Sequence, residues 1–171
     1  VLAPETIGSL VYLKRNLKKL KKNVIAAFNI NCVGDNRTFS FLPSRNGNTL
    51  ADNAAIYALK NIYPKFKKYS FMDRGSDERQ YCSPNVDLPM VSIMRSKYGT
   101  YPEYHTSLDN LGVVSPEGLE GAFKAISEAI KFIEINKKYK SNFVGEPFLS
   151  KRNMYPSKGM SILGKSKKNL D

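Results

Sequence analysis

The chain has 171 residues, of which 42% are hydrophobic and 25% are charged, and it carries a net charge of +12. This apolar content excludes wholesale disorder and suits one globular domain with a sizeable core. No apolar run approaches the roughly 20 residues that span a bilayer, so no membrane partner is expected. Much of the positive charge comes from lysines at helix ends and in loops, which favours a solvated surface over a nucleic-acid interface.

Two cysteines, Cys32 and Cys82, are too few for a disulfide framework and lack CxxC spacing. We expect both to be reduced and mostly packed in the protein interior. The chain also lacks a basic-then-apolar leader, so we expect a cytoplasmic protein. Because it starts with Val1 rather than methionine, we expect it to begin inside a longer parent protein.

The first part of the chain predicts one helix followed by two strands. Ser9 would cap a helix that runs to about Lys22, with leucines at three- and four-residue spacing opposite a lysine-rich face. Residues 24–33 are largely apolar, as a strand buried on both faces of a sheet requires. Residues 38–42 predict a short second strand before a turn-rich segment.

The second part of the chain predicts two helices with a strand between them. Thr49 and Asp52 have the spacing of a capping box, and the helix that they open would end before Pro64. Residues 88–94 indicate another buried strand. Ser115 would cap the last helix, with a proline at the first helical position. That helix would end near Asn136 and bury an apolar stripe made of Leu119, Phe123, Ile126, Ile130 and Ile133.

Helices thus alternate with buried strands, a pattern that predicts an α/β layered fold with a mostly parallel sheet. Residues 1–140 would form this α/β domain. Residues 141–171, with weak periodicity and several glycines and prolines, would form a linker or an irregular tail. The sequence contains no GxGxxG, P-loop or HExxH motif, so dinucleotide and phosphate-cradle sites are not predicted.

His105 is the only histidine of the sequence and the first candidate for metal binding or proton transfer near neutral pH. Polar clusters follow the predicted strands at residues 31–35, 76–79 and 104–109. Ligands of open α/β sheets bind at the carboxyl ends of the strands, and Glu5 could lie at the same end. Together these groups could bind one divalent metal that activates water, although a lone histidine or carboxylate is more often structural.

Five short motifs occur in order along the chain, namely Pro4–Gly8, Asn29–Gly34, Gly75–Asp77, Leu88–Val91 and Tyr104–Asp109. Together they resemble the zinc aminopeptidase family that also contains glutaminyl cyclases. The resemblance is closer to one branch, the aminopeptidase-like proteins of bacterial polysaccharide gene clusters. Residues 42–52 and 75–82 are similar to the signature of that branch. It covers roughly residues 1–158.

The resemblance implies a three-layer α/β/α sandwich with a mixed sheet and a zinc cofactor. His105 matches the last metal ligand of the family, and Glu5 matches the glutamate that deprotonates the attacking water. In an intact parent, zinc would polarise a carbonyl of a peptide or of an amide-containing small molecule. Asp77 and Asp109 would lie behind the ligands and orient them. The expected substrate-binding residues are Arg79, Tyr98 and Tyr101.

The sequence also departs from the family pattern at several ligand positions. Thr6 and Asn31 stand where dinuclear members place a glutamate and an aspartate, and Glu78 replaces a histidine. We therefore expect at most one zinc ion, with Asp35 as a substitute ligand. The first histidine ligand and the bridging aspartate of the family precede the matched motifs. The metal site is thus expected to be incomplete, and this chain inactive as a fragment.

Two other functions are consistent with the sequence. The first is a non-catalytic scaffold or binding module that uses the basic surface, on nucleic acid or acidic polysaccharide. Nucleic acid is the less expected partner, because the arginines are few and scattered rather than interleaved with aromatic residues. The second is a metal-free amidohydrolase that uses Cys82 and His105, which would require an exposed thiol with a depressed pKa.

Overall fold

A computed structural model describes the chain as two units, residues 1–137 and residues 138–171. The predicted boundary lay three residues later, at 140/141. Within the second unit, the described residues contain one 3₁₀ turn, Leu149–Arg152. The tail that the sequence predicts lies largely outside the described residues. The structure describes residues 4–137, 139–142, 144–145 and 148–154.

The described part of the first unit contains four α-helices around a four-stranded sheet. The helices are α1 (Ile7–Asn23), α2 (Leu50–Ile62), α3 (Glu78–Tyr81) and α4 (Pro116–Ile135), and the strands are β1 (Ala27–Asn29), β2 (Ser40–Leu42), β3 (Lys67–Lys68) and β4 (Met90–Met94). The sheet order is β1-β4-β2-β3, with β1 parallel to β4, β4 antiparallel to β2, and β2 parallel to β3. The predicted α/β fold with a mixed sheet is confirmed.

Alternate residues of β4 face two different helix layers. Val91 and Ile93 are buried with the alanines of α2 and α4, whereas Met90 packs with Leu13 of α1 and Tyr81 of α3. Because successive side chains of a strand point to opposite faces, this sorting places α2 and α4 on one face and α1 and α3 on the other. The first unit is therefore a three-layer arrangement with β4 inside the sheet.

The predicted apolar stripe of α4 is wrong for three of its five residues. Leu119, Phe123 and Ile130 are 47%, 72% and 46% exposed. The face that packs inward is instead lined by small residues of both helices, because α4 lies closely against α2. Those residues are Ala51, Ala54, Ala55 and Ala58 of α2 and Gly118, Ala122, Ala125 and Ala129 of α4.

The start of α1 and the length of β1 also differ from the prediction. α1 begins at Ile7, with Ser9 buried inside the helix, and its N-cap residue Thr6 makes no side-chain cap. The backbone N–H of Thr6 donates to Asp77 Oδ1 (2.7 Å). β1 covers only residues 27–29 of the predicted 24–33. The chain leaves the sheet after β1, and Cys32 adopts a positive φ of 46° that is unfavourable in a strand.

The capping box of α2 is confirmed, and it connects to the loop before the helix. Thr49 Oγ1 accepts from the Asp52 backbone N–H, and Asp52 accepts from the Thr49 backbone N–H at 2.8 Å. The Asp52 carboxylate also accepts from the backbone N–H and the hydroxyl of Ser44.

Within the described part of the chain, none of the helices combines the length and apolar character that a bilayer span needs.

Gly118 allows the first turn of α4 to contact the loop that follows β1. A Cβ atom at this position would lie 2.0 Å from the Gly34 carbonyl oxygen, which is a backbone atom. Gly118→Ala should therefore lower the free energy of unfolding by about 2 kcal/mol, as overpacking at a tight contact does. Urea denaturation would measure the change.

Gly121→Ala is the matched control for this substitution. Both positions lie in α4 and gain the same helix propensity, but the first neighbour of an added Cβ at Gly121 is the side-chain atom Nη1 of Arg95, at 2.9 Å, rather than a backbone atom at 2.0 Å. Gly121→Ala should therefore destabilise the protein less than Gly118→Ala does. Equal effects of the two substitutions would show that the Gly34 contact does not constrain α4.

Candidate functional site

The candidate site lies where the chain leaves the carboxyl ends of the parallel strands β1 and β4. The loop after β1 contacts the end of β4 directly, because the Arg95 backbone N–H donates to the Cys32 carbonyl at 2.8 Å. The segment that follows β4 then carries Tyr101, Tyr104 and His105. Carboxyl ends of parallel strands are where open α/β sheets bind ligands.

Three aromatic rings and a thiol form the centre of this site. The His105 ring is stacked on Tyr104 with centroids 3.9 Å apart, and Tyr104 contacts Tyr101 edge-on at 5.7 Å. The Tyr101 hydroxyl lies 3.7 Å from Cys32 Sγ. His105 is exposed and has a positive φ of 59°, a conformation that costs free energy for a non-glycine residue.

Three carboxylates are close enough to this centre to act on it electrostatically. Burial raises the pKa of the Cys32 thiol, and the charges of Asp109, Asp35 and Glu5 raise it further, against the opposing effect of the Tyr101 hydroxyl. Burial also raises the pKa of Tyr104, with a contribution from Glu5. The sequence-predicted residues Glu5, Asp109 and His105 thus lie in one neighbourhood, together with the unpredicted Cys32 and Tyr104.

Asp35 is buried, and both of its carboxylate oxygens accept hydrogen bonds. Oδ1 accepts from the Arg37 backbone N–H at 3.0 Å and from the Ser96 hydroxyl at 2.8 Å, and Oδ2 accepts from the Ser96 backbone N–H at 2.8 Å. These bonds clamp the loop after β1 to the end of β4. A role for Asp35 as a metal ligand stays a prediction, and it would require some of these bonds to break.

Glu78 is another buried carboxylate, in contact with Asn29, Ser92 and Tyr98, where the sequence indicated only that a family histidine is replaced. Its side chain is completely buried. Burial by itself raises the pKa of this carboxyl, but hydrogen bonds from Tyr98, Ser76 and Gly75 hold it below its ordinary value of 4.5. The donors to its two oxygens are Tyr98 Oη (2.7 Å), Gly75 N (2.9 Å), Ser76 N (3.0 Å), Asn29 Nδ2 (2.6 Å) and Ser92 Oγ (3.3 Å).

The other predicted substrate-binding and orienting residues have contacts within the protein. Asp77 accepts from the Thr6 backbone N–H, so it holds the segment that carries Glu5. Arg79 is exposed, with Nη2 3.2 Å from the Thr6 hydroxyl. Burial and the Glu78 carboxylate raise the pKa of Tyr98, whose hydroxyl is already used by Glu78. Roles for these groups toward a substrate stay predictions.

The described residues do not fit a zinc site by themselves. No group of three or more His, Cys, Asp or Glu side chains that could hold a metal occurs in the described part of the chain. Asn31, at a family ligand position, is a neutral amide whose Oδ1 and Nδ2 are both buried without a partner among the described residues. Neutral amides are poor zinc ligands, and a zinc site needs at least three protein ligands, so we assign no catalytic step to a metal in this chain.

Cys82 does not have the properties that a nucleophilic thiol needs. It is completely buried, and its Sγ lies 3.3 Å from the carbonyl oxygens of Leu88 and Met90. Burial raises the pKa of the thiol, which leaves little thiolate at neutral pH. The alternative of a metal-free amidohydrolase built on Cys82 and His105 is therefore wrong.

Residues 1–136 match the sequence profile of a domain of unknown function, DUF4910. The chain is also 39% identical over 156 residues to a Clostridium acetobutylicum protein assigned to polysaccharide biosynthesis with an aminopeptidase-like domain. The chain belongs to the DUF4910 family. It covers 36% of the length of that relative.

The solved structures that resemble this DUF4910 chain place its fold among the aminopeptidases. A crystal structure of a protein assigned as a peptidase from C. acetobutylicum, 39% identical, has a TM-score of 0.77 over 88% of this chain and 35% of its own. A zinc aminopeptidase from Bacillus subtilis, 21% identical, has a TM-score of 0.59 over 78% of this chain and 34% of its own. An aminopeptidase from Aneurinibacillus sp. strain AM-1, 19% identical, has a TM-score of 0.61 over 74% and 30%.

Glu78→Gln tests whether the buried carboxylate stabilises the fold as an anion. Because the folded-state pKa of Glu78 lies below 4.5, the ionised group stabilises the protein above that pH, and the contribution is lost as the pH falls through the folded-state pKa. At pH 7 the substitution should lower the free energy of unfolding by about 1–3 kcal/mol. The difference from wild type should shrink below pH 4.5.

Urea denaturation between pH 3 and pH 7 would follow this difference. Glu134→Gln, which neutralises an exposed carboxylate of α4, is the control and should leave the pH profile of the wild type unchanged. A Glu78→Gln variant whose destabilisation is the same at every pH would contradict an anionic Glu78.

Proposed function

We propose that this chain is one part of an aminopeptidase-like hydrolase domain that cleaves a peptide or amide bond, and that it is inactive alone. The proposal rests on one observation. Glu5, His105 and Asp109 lie near Tyr101 and Tyr104 at the carboxyl-end edge of an aminopeptidase-like sheet, but the described residues bring together no three side chains able to hold a metal. In the family, zinc would supply the Lewis acid for such chemistry when bound.

In this proposal Glu5 is the general base, because it has an exposed carboxylate at the start of α1. Asp77 is a positioning residue, since its bond to the Thr6 N–H sets where Glu5 lies. His105 is one ligand of a site that needs further ligands from outside the described residues. Its stack on Tyr104 limits the orientations of the ring without using a ring nitrogen. The proposed compartment is the cytoplasm.

The basic surface supports a second candidate function, the binding of an acidic polysaccharide. Arg37, Lys65 and Lys67 line an open pocket of about 500 Å³ together with Tyr63 and Tyr101. Among the described residues, no acidic side chain lines this pocket, although Glu103 pairs with Arg37 at 2.7 Å beside it. Cations beside aromatic rings suit the carboxylates and sugar faces of an acidic polysaccharide. This function would not depend on Glu5 or His105.

The chain alone should show little or no turnover of amino-acid anilides with added zinc, because its described residues lack a complete metal site. The assay would compare the wild-type chain with His105→Ala, and Thr106→Ala, one residue away on the same exposed segment, is the matched control. Robust zinc-dependent turnover that is lost in His105→Ala and kept in Thr106→Ala would contradict the proposed inactivity.

The polysaccharide candidate predicts that charge reversal at the pocket weakens binding to polygalacturonate. Lys65→Glu/Lys67→Glu should reduce the affinity at least tenfold at low salt, since two pocket cations become anions. Lys124→Glu/Lys131→Glu changes the net charge by the same amount at ion-paired positions of α4 and should have a much smaller effect. Equal losses in both variants would indicate binding through net charge alone.

A further inference from the structure

Three arginines line one open pocket, which has a volume of about 460 Å³. Arg45 lies in the segment after β2, and Arg79 lies in α3. Arg74 lies between them in the chain, at the end of a 3₁₀ turn, Phe71–Asp73. The arginines of this chain are scattered along its sequence, so this cluster arises only in the folded chain.

Two of the three guanidinium groups have no carboxylate partner among the described residues. Arg45 is paired with Asp87 through two contacts, Nε to Oδ1 at 2.9 Å and Nη2 to Oδ2 at 2.7 Å. No ion pair of Arg74 or Arg79 occurs in the described part of the chain, and no described acidic side chain lines the pocket. The pocket therefore presents two positive charges that no nearby carboxylate in the described chain neutralises.

The acidic residues closest to these arginines in sequence are engaged elsewhere. Asp73 precedes Arg74, and its Oδ2 accepts from the Ser70 backbone N–H at 2.9 Å. Asp77 precedes Arg79 by two residues, and its Oδ1 accepts from the Thr6 backbone N–H at 2.7 Å. Both carboxylates thus stabilise local backbone, which leaves the two guanidinium groups available to a ligand.

An apolar surface lies beside the unpaired charges. Phe71 and Met72 line the same pocket, and Met72 is 75% exposed. The guanidinium carbon of Arg74 lies 4.8 Å from the centre of the Phe71 ring. A guanidinium group that stacks on an aromatic ring is held in place but keeps N–H donors at its edge for an anion.

This combination of groups suits an organic phosphate. Guanidinium groups bind phosphate and carboxylate through paired N–H donors. A phosphate monoester carries a charge of about −1.5 to −2 at pH 7, which matches two unpaired arginines better than the single charge of a carboxylate does. The pocket volume of about 460 Å³ is typical of small-molecule sites, whereas an extended polyanion binds along a groove.

We propose that the pocket of Arg45, Arg74 and Arg79 binds a phosphate monoester of a small, partly apolar molecule. Arg74 and Arg79 hold the phosphate group, and Phe71 and Met72 contact the apolar part. The inference requires neither zinc nor peptidase turnover, and it does not involve the pocket of Arg37, Lys65 and Lys67.

Titration of phenyl phosphate into the ¹⁵N-labelled chain, followed by NMR, would test the proposal. The backbone amide resonances of Arg79, Gln80 and Ser83 should shift, because these residues line the pocket. Phenyl sulfate has the same ring but a single negative charge, so it should bind about tenfold more weakly. Equal affinities for the two compounds, or shifts at Lys65 and Lys67 instead of at this pocket, would overturn the proposal.

Arg74→Gln/Arg79→Gln should lower the affinity for phenyl phosphate by about tenfold or more, because the charge-assisted hydrogen bonds are lost. Arg15→Gln/Lys18→Gln removes the same net charge from exposed positions of α1 and should have a much smaller effect. Equal losses in these two variants would mean that net charge alone attracts the ligand, which would contradict a built site.

Arg74→Lys/Arg79→Lys keeps both charges but removes the paired donors, so its affinity should lie between those of the wild type and the glutamine variant. This second variant also tests the proposal if the glutamine variant does not fold. Wild-type affinity in the lysine variant would overturn guanidinium recognition. All of these readouts are binding measurements, so the proposed hydrolase function is judged separately.

Discussion

The candidate site depends on the hydrogen bonds that the buried carboxylate of Glu78 accepts. Its two oxygens accept from Asn29 at the end of β1, from Ser92 in β4 and from the Tyr98 hydroxyl in the segment after β4. Burying a carboxylate away from water costs free energy unless its oxygens accept hydrogen bonds. Both oxygens of Glu78 accept hydrogen bonds in this structure. The two loop segments that bear the candidate residues therefore leave the sheet from one fixed point.

Close packing of small residues holds the same loops from the other side. The alanines of α2 and α4 bring these helices together, and Gly118 lets α4 approach the Gly34 carbonyl. Asp35, one residue further, then bonds to Ser96. The conformation of the loop after β1 thus follows from helix packing and from a buried carboxylate. The exposed His105 is stacked on Tyr104, and Glu5 precedes Thr6, whose backbone N–H donates to Asp77.

The candidate site and a groove beside β1 are two features of the same region. The side-chain amide of Asn31, buried without a partner among the described residues, lies two residues past the end of β1. The groove beside β1 includes Asp77, which accepts the backbone N–H of Thr6 just before α1.

The sequence by itself determined the alternation of helices and strands, the capping box of α2, the start of α4 and the family resemblance, because these depend on local periodicity, local hydrogen bonds and short motifs. Tertiary structure alone decided the rest. The inward face of α4 is its alanine side, because α2 offers small residues that permit close approach. α1 begins before Ser9, and Asp77, distant in sequence, accepts the backbone N–H of Thr6 there. Glu78 is a buried carboxylate because Gly75 and Ser76, just before it in the chain, donate to it together with Asn29, Ser92 and Tyr98, which reach it only in the folded chain.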